Sequence, residues 1–309
     1  MRCLVTGASG FIGSRVITQL LQHGYDVIAI VRDKNKPGRL REQLGNVSLL
    51  ESPMNDMAKL SSCLQGQEID ACIHLAWYAE PGKYLQAIEN LSLVQESLAL
   101  MRLVVDYGCK RFVGAGTCAE YDPFFGYLRE EGPIGPSTIY GASKLSLRYM
   151  GEQLAKQLGI GFAWGRIFYV YGPAEDHRRF VSSMINTLLD EKDFLASSGE
   201  QVRDFLHVDD LAAAFVSLAT TETTGVFNLC SGNPIAMRDL MELIGEMLER
   251  TQRVQLGARP KNLFDPPFIC GDNSKLKATG WEPKFNLKSG LRDTIDWWME
   301  SRLSVNKSC

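Results

Sequence analysis

The chain has 309 residues, which is enough for one large α/β domain with or without a smaller second domain. Apolar residues make up 45% and charged residues 22% of the sequence, as is typical of globular proteins. The net charge of −3 gives no reason to expect nucleic acid or an anionic membrane as a partner, and no apolar run approaches the roughly 20 residues of a membrane-spanning helix.

The eight cysteines are scattered along the chain, and none forms a C-x-x-C pair. This spacing argues against a zinc site and indicates reduced thiols, so we expect a cytoplasmic protein without a metal. The first ten residues, MRCLVTGASG, form a short apolar run that breaks at glycine and does not resemble a signal peptide.

Predicted strands and helices alternate along the first 116 residues. The predicted strands are RCLVTG (2–7), YDVIAIV (25–31), NVSLL (46–50), DACIHLA (70–76) and RFVGAG (111–116). Helical periodicity is present in GFIGSRVITQLLQHG, which ends at Gly24, and in the stretch 83–107. Such alternation predicts an α/β fold with a doubly wound parallel sheet.

Three glycines lie at the first strand–helix junction, in TGASGFIG. A glycine there permits a tight turn, lets a pyrophosphate approach the helix N-terminus, and lets the helix pack closely on the sheet. A glycine-rich turn without a ligand is the alternative, but this position in the fold favours a dinucleotide. The predicted cofactor-binding residues of the loop are Gly7, Ser9, Gly10, Phe11, Ile12 and Gly13.

The end of the second strand bears on the choice of dinucleotide. Proteins that bind NAD usually carry an acidic residue there, which binds the adenosine ribose. This chain has Arg32, which suits the 2′-phosphate of NADP, followed by Asp33, which could still take the ribose of NAD. We therefore expect NADP(H) and leave NAD(H) open.

The segment YGASK (140–144) follows a helix start for which Ser137 is the expected N-cap, and the helix is predicted to run to about Gly159. Tyr140 and Lys144 then share one helix face. An ammonium beside a tyrosine lowers the pKa of the phenol, which makes it a better proton donor and acceptor. Thr117, just past the fifth strand, is the candidate that orients a carbonyl oxygen.

These motifs resemble the extended short-chain dehydrogenases/reductases, in the branch that acts on nucleotide sugars. The resemblance covers nearly the whole chain, through VTGASGFIG, IHLA, YGASK, RIFYVYGP (166–173), GEQVRDFLHVDDLAAAF (199–215), FNLCSGNPIAMRDL (227–240) and GWEPKFNLKSGL (280–291). It implies a Rossmann domain over 1–172 with a returning segment at about 204–230. It implies a substrate domain over 173–203 and 231–309, and homodimers formed through the helices at about 83–107 and 138–158.

The resemblance also assigns roles to residues. Thr117, Tyr140 and Lys144 match the catalytic residues, and Tyr140 and Lys144 also contact the cofactor, together with Leu75 and Ala76. Arg203 would bind the nucleotide diphosphate, with Arg179 as a weaker candidate. Tyr169 stands where many members carry an asparagine that contacts substrate.

Departures from the family pattern narrow the reaction. The sugar dehydratases carry Asp and Glu directly after the catalytic Thr, where this chain has Cys118 and Ala119. The 3,5-epimerising reductases use a cysteine where Ala119 stands, and the 4-epimerases hold NAD with an acidic residue where Val31 and Arg32 stand. The remaining reading is an NADPH-dependent reductase of a nucleotide-linked 4-keto-6-deoxy sugar, in deoxysugar biosynthesis.

Three other interpretations stay open. IVRDKNKPGRL (30–40) also resembles NADP-dependent ketoreductases of small phenolic or aliphatic carbonyls, although the C-terminal motifs favour sugar nucleotides. A 4-epimerase would purify with bound NAD. A non-catalytic cofactor sensor would often lack the tyrosine or the lysine, which this chain retains. Trp77 and Tyr78 could line a sugar pocket or pack in the core, whereas His74 and His207 are interpreted as structural.

Overall fold

The computed structural model describes residues 1–262 and 265–306. Its strands are β1 (Arg2–Thr6), β2 (Asp26–Val31), β3 (Ser48–Glu51), β4 (Ala71–His74), β5 (Arg111–Thr117), β6 (Tyr127–Leu128), β7 (Gly161–Ile167), β8 (Tyr169–Tyr171), β9 (Phe194–Leu195), β10 (Val202–His207), β11 (Gly225–Leu229), β12 (Pro234–Ala236), β13 (Val254–Gln255) and β14 (Cys270–Gly271). Its α-helices are α1 (Phe11–Gln22), α2 (Met57–Leu64), α3 (Glu89–Val105), α4 (Ile139–Leu158), α5 (Phe180–Leu189), α6 (Val208–Thr220), α7 (Met237–Met247), α8 (Ser274–Lys277) and α9 (Leu287–Asn306).

Seven strands form one parallel sheet in the order β11-β7-β5-β4-β1-β2-β3. The order reverses at β1, so the chain winds outward in both directions, which confirms the predicted doubly wound Rossmann-type sheet. Alternate residues of β1 face opposite sides: Cys3 and Val5 pack with α1 and α6, and Leu4 packs with α2, α3 and α4. Both faces of the sheet are therefore covered, and its strands contribute apolar residues to the core on either side.

The helix predicted over 83–107 is shorter in the structure. Tyr84–Gln86 forms a single 3-10 turn, and α3 begins only at Glu89. The buried side chain of Asn90 explains the break, because its amide nitrogen donates to the carbonyl oxygens of Tyr84 (2.7 Å) and Ala87 (2.8 Å). This side chain satisfies carbonyl groups that a continuous helix would pair internally.

The helix that carries YGASK is α4, and its N-cap is Thr138 rather than the predicted Ser137. The Thr138 backbone is extended, and its hydroxyl oxygen accepts a hydrogen bond from Gly141 N at 3.0 Å. Gly159 ends the helix in the left-handed conformation, as the sequence predicted. The shift of one residue leaves Tyr140 and Lys144 in the first two turns.

A smaller set of elements follows the main sheet in the chain. Strands β8, β10 and β12 form a second sheet, and α5, α7 and α9 pack with it around Tyr171, Phe205 and Leu291. Helix α6 and strand β11 return to the main sheet, whereas β10 stays in the second. The division into domains at 1–172 with 204–230, and 173–203 with 231–309, stays a prediction; residues 263–264 and 307–309 lie outside the described residues.

Across the described chain, no helix combines the length and the apolar character needed to cross a membrane. The seven cysteines within it are all unpaired, and Cys309 lies outside it.

Candidate active site

The glycine loop connects β1 to α1 and exposes backbone rather than side chains. Gly7 has a φ of +65°, and a Cβ there would lie only 2.8 Å from the backbone nitrogen of Ala76. A Cβ on Gly13 would lie 2.2 Å from the carbonyl oxygen of Gly7. Gly10 is the N-cap of α1 and supplies no side-chain cap, so the first amide groups of α1 remain available to an anion. These features fit the pyrophosphate of a dinucleotide.

The segment after β4 lies against this loop. The Thr6 hydroxyl oxygen accepts hydrogen bonds from the backbone amides of Leu75 (3.2 Å) and Ala76 (3.1 Å). These bonds fix the chain where it passes closest to Gly7. The structure thus places Leu75 and Ala76 against the glycine loop.

The imidazole of His74 contacts the same threonine, Thr6, and both of its ring nitrogens have hydrogen-bond partners. Nδ1 contacts the Thr6 hydroxyl at 2.7 Å, and Nε2 contacts the Ser97 hydroxyl at 2.8 Å. Because Thr6 already accepts two amide protons, its own proton points to Nδ1, and Nε2 carries the ring proton. Burial, together with nearby Lys144, lowers the pKa of His74 to about 3. The ring is neutral, which agrees with the structural role predicted for it.

The predicted catalytic residues meet at the carboxyl end of β5. Thr117 is the last residue of this strand, and its side chain lies close to the Tyr140 phenol, where it acts against the rise in the pKa of that group. Gly141 makes this contact possible, because a Cβ there would lie 2.4 Å from the carbonyl oxygen of Ala119. Only a residue without a side chain lets α4 approach the turn after β5 so closely.

Lys144 lies one turn further along α4 and is buried. Its Nζ donates a hydrogen bond to the carbonyl oxygen of Ala115 at 2.7 Å and lies 3.6 Å from the centre of the Trp77 ring. The Trp77 indole nitrogen in turn donates to Asn90 at 2.7 Å. Trp77 therefore covers the lysine and packs against the core at the same time.

The pKa of Tyr140 is raised overall, whereas the sequence predicted that it would be lowered. Burial is the main cause, Tyr84 adds to this effect, and the Thr117 side chain opposes it. Burial also lowers the pKa of Lys144 from its ordinary value of 10.5 to about 7, and the negative charge of Glu120 opposes that change. Desolvation is the largest cause of both pKa shifts because both side chains are removed from water.

The predicted substrate residues Arg203 and Tyr169 lie next to each other. The Arg203 guanidinium is 5.4 Å from the Tyr169 ring centre and forms an ion pair with Asp265 at 2.5 Å. Cys118 is the residue directly after Thr117. Burial raises the pKa of its thiol to about 12, and the positive charge of Arg203 opposes that rise. These side chains therefore lie beside the predicted catalytic residues, on the side of the second sheet.

Arg179 is connected to the catalytic tyrosine through Tyr84. The edge of the Tyr84 ring meets the Tyr140 ring with centres 4.9 Å apart, and the Arg179 guanidinium carbon is 5.2 Å from the Tyr84 ring centre. Arg179 is the N-cap of α5 and donates a hydrogen bond to the carbonyl oxygen of Ala79 at 3.0 Å. Arg179, the weaker of the two candidates for binding the diphosphate, thus also lies near Tyr140.

Arg32 stands apart from these residues. It follows β2, is exposed, and has no hydrogen-bond or ion-pair partner within residues 1–262 and 265–306. The loop it begins approaches the cofactor loop, because a Cβ on Gly38 would lie 3.2 Å from the carbonyl oxygen of Ser9. Arg32 is therefore free to bind an anionic group at the edge of the glycine loop.

Comparison with known proteins shows the family of the chain. The model of the NAD dependent epimerase/dehydratase family matches residues 3–230, which is most of the chain. The chain belongs to the NAD dependent epimerase/dehydratase family. It is an enzyme of the short-chain dehydrogenase/reductase type, which confirms the resemblance drawn from its motifs.

Two curated relatives and one solved structure illustrate the breadth of the match. UDP-glucuronate 4-epimerase from Thermodesulfobacterium geofontis is 28% identical, over 96% of either chain. CDP-abequose synthase from Salmonella typhimurium is 27% identical, over 94% of this chain and 96% of the relative. The structure of MoeE5 in complex with UDP-glucose and NAD superposes with a TM-score of 0.80 at 26% identity, covering 98% of this chain and all of the other. The relatives carry nucleotide-sugar names, as expected for this branch of the family.

Sequence reasoning missed the buried carboxylate of this family member's active site. Glu120 closes the 3-10 turn Cys118–Glu120, and its side chain accepts a hydrogen bond from Thr117 N at 3.0 Å. Thr117 and Glu120 form a capping box, since the Thr117 hydroxyl also accepts from the turn. The pattern Thr-x-x-Glu at the end of a predicted strand was the signal that could have revealed it.

A second polar cluster lies at the junction of α1, α6 and α9. His207 Nε2 is 3.2 Å from an Asp293 carboxylate oxygen, and Arg15 pairs with Asp209 at 3.5 Å. His207, Asp209 and Asp293 present ligand atoms within 4.8 Å of one another. His207 Nδ1 accepts a hydrogen bond from Asp209 N, so Nε2 carries the ring proton and is not a ligand atom. Burial lowers the pKa of His207 to about 4, so its ring is neutral and the Arg15–Asp209 contact is the ion pair of this cluster.

Proposed function

We propose that this enzyme uses NADPH to reduce the keto group of a nucleotide-linked 4-keto-6-deoxy sugar. The observation that carries the proposal is the catalytic group Thr117, Tyr140 and Lys144 beside a turn with no free acid or base. In that turn Cys118 has a raised thiol pKa and Ala119 cannot ionise. Both oxygens of Glu120 are engaged in buried hydrogen bonds. One proton donor suffices for carbonyl reduction, whereas loss of water from the sugar needs an acid and a base.

Each residue has a role that follows from its place. The Tyr140 hydroxyl donates its proton to the oxygen that develops negative charge, and its raised pKa keeps that proton in place until it is needed. Thr117, in contact with Tyr140, donates a hydrogen bond to the same oxygen. Lys144 binds the hydroxyls of the nicotinamide ribose. A nicotinamide dinucleotide held on residues 7–13 supplies the hydride.

Arg203 and Arg179 are the proposed contacts of the substrate diphosphate, with Tyr169 beside the sugar. Arg203 is nearly buried and already pairs with a carboxylate, so its surroundings accommodate an anion. Arg179 reaches toward the catalytic tyrosine from the other side, by way of Tyr84.

The preference for NADP(H) over NAD(H) rests on Arg32. An exposed guanidinium next to the glycine loop can form charge-assisted hydrogen bonds with a 2′-phosphate. The neighbouring Asp33 carboxylate accepts a hydrogen bond from Asn35 N at 2.9 Å, which engages one of the oxygens that would hold the ribose of NAD.

We also propose a homodimer in the cytoplasm. Leu91 on α3 and Tyr149 and Met150 on α4 are large apolar residues that are about half exposed. They lie on the two helices that pair in the dimers implied by the resemblance, and a second copy would cover them. The unpaired cysteines are in keeping with a compartment that keeps thiols reduced.

The test is NADPH oxidation at 340 nm, against NADH, with a panel of CDP-, dTDP-, GDP- and UDP-linked 4-keto-6-deoxy sugars. Turnover with NADPH on one of them, lost in Tyr140→Phe, is the expected result. Retention of activity in Tyr140→Phe, or turnover of small carbonyls alone, would overturn the proposal.

An NAD-dependent nucleotide-sugar 4-epimerase is the second candidate, and relatives such as UDP-glucuronate 4-epimerase favour it about equally. The same residues could serve it, because epimerisation at that carbon also passes protons through a tyrosine. NAD that stays bound through purification, with interconversion of UDP-hexoses and no net NADPH oxidation, would decide for this candidate.

A further inference from the structure

The carboxylate of Glu120 is completely buried and fully hydrogen-bonded. Its Oε1 accepts from Thr117 N at 3.0 Å and from the Trp164 indole nitrogen at 2.9 Å. Its Oε2 accepts from Arg166 Nε at 2.7 Å, in an ion pair whose two side chains are 0% and 1% exposed. A buried pair of this kind is a weak source of net stability, because desolvation offsets the attraction. Its location invites a functional explanation.

The sequence makes room for this carboxylate. A Cβ on Gly116 would lie 2.6 Å from Glu120 Oε1 and 2.2 Å from Trp164 Nε1. Glycine at this position of β5 is therefore needed for the carboxylate and the indole to reach the strand backbone next to Thr117. The arrangement places the Glu120–Arg166 ion pair beside the predicted catalytic residues, with the carboxylate oxygen Oε1 next to Thr117.

The Glu120 carboxylate acts on two of these residues, Thr117 and Lys144. The backbone of Thr117 is held by Oε1, which fixes the residue whose side chain contacts Tyr140. Lys144 Nζ donates at 2.7 Å to the carbonyl oxygen of Ala115, which lies on β5 two residues before the Thr117 amide that Glu120 accepts from. Burial lowers the pKa of Lys144 to about 7, and the Glu120 carboxylate opposes this change. The other ionisable groups that face Lys144 are His74 on β4, which is neutral at this pH, and Tyr140 on its own helix.

We propose that Glu120 is a positioning residue, whose carboxylate fixes the backbone of Thr117 and keeps the Lys144 amine as an ammonium. The inference rests on the proposed function, since it assigns a role within the same site. An ammonium is the form of Lys144 that can donate protons to the ribose hydroxyls in every direction they require. Cofactor binding should therefore depend on pH through Lys144, and Glu120 should set where that dependence falls.

The experiment is a titration of NADPH, and in parallel NADH, into the full-length protein from pH 5.5 to 9.5, followed by cofactor fluorescence. Affinity is expected to fall as pH rises through the Lys144 pKa. Glu120→Gln alone leaves Arg166 buried without a counter-charge, so the informative variant is E120Q/R166M, which removes both charges and keeps the acceptor for Thr117 N. In this variant the midpoint, which is the pH at which half of the NADPH affinity is lost, should decrease by about one unit.

Trp164→Phe is the matched control. It removes a neutral donor from the same carboxylate oxygen and leaves the charge, so its midpoint should stay at the wild-type pH. A midpoint in E120Q/R166M that equals that of wild type, in protein shown by circular dichroism to be folded, would overturn the role assigned to the charge.

Glu120→Asp separates the two parts of the proposal and serves if the double variant does not fold. It keeps the charge and shortens the reach to Thr117, so the midpoint should hold while kcat falls. A midpoint that moves, or a kcat equal to that of wild type, would contradict it. Failure of the proposed function is distinguishable, because the cofactor titration needs no sugar substrate.

Discussion

Replacing Gly141 by alanine tests whether the close approach of α4 to the turn after β5 sets the catalytic geometry. The new Cβ would lie 2.4 Å from the carbonyl oxygen of Ala119 and 3.1 Å from Pro136 Cβ. Non-bonded heavy atoms prefer separations of about 3.5 Å, so the helix and the turn must part by about 1 Å. Such a shift separates Tyr140 from Thr117 and should lower kcat by about 100-fold.

Stability should change much less than activity in this variant. Overpacking costs about 1–3 kcal/mol, while alanine gains about 1 kcal/mol over glycine in a helix. The variant is therefore expected to fold, with a free energy of unfolding lowered by at most about 2 kcal/mol. Steady-state kinetics on the nucleotide sugar found by the panel, together with urea unfolding, measure both quantities.

Gly151→Ala is the matched control, since the same helix receives the same methyl group. Its Cβ would lie 3.0 Å from ring atoms of Phe162, a side chain that can tilt by a few tenths of an ångström, and no catalytic residue is nearby in that contact. This variant should keep its kcat. A Gly141→Ala protein with kcat within about twofold of the Gly151→Ala protein would refute the argument from geometry.

Thr6→Val should lower the free energy of unfolding by roughly 2 kcal/mol or more, because the amides of Leu75 and Ala76 lose their acceptor. Urea unfolding measures this loss, and Thr6→Ser, which keeps the hydroxyl, should show little of it. Lys144→Met should change how stability depends on pH: from pH 7 to 10.5 the unfolded chain binds more protons than the folded one, so wild-type stability rises there by up to about 1.4 kcal/mol per pH unit. Urea unfolding of both proteins at pH 7, 8 and 9 measures this dependence. The same difference in free energy of unfolding at all three pH values would contradict the assignment. Arg32→Ala should weaken NADPH binding about tenfold and leave NADH binding unchanged; equal losses for both cofactors would exclude a contact with the 2′-phosphate.

The sequence alone determined the fold class and the cofactor loop. Alternating β-branched strands and amphipathic helices leave few arrangements that bury both patterns, and a glycine loop between the first strand and helix is typical of dinucleotide binding. The sequence predicted that Gly7 lies in the loop after β1 and that Tyr140 and Lys144 share a helix face, because each placement depends on local spacing. The break before Glu89 was not predicted, because it depends on the Asn90 side chain and the turn that it binds.

The tertiary structure decided the electrostatics. Spacing predicted that Lys144 and Tyr140 share a helix face, yet the direction of their pKa shifts depends on how much water is removed from them, which spacing does not encode. Glu120 and Arg166 are 46 residues apart and become partners only when β5 and β7 pair. Long-range pairing and burial are properties of the packed chain. For that reason only the tertiary structure shows that the Glu120 carboxylate lies next to Thr117.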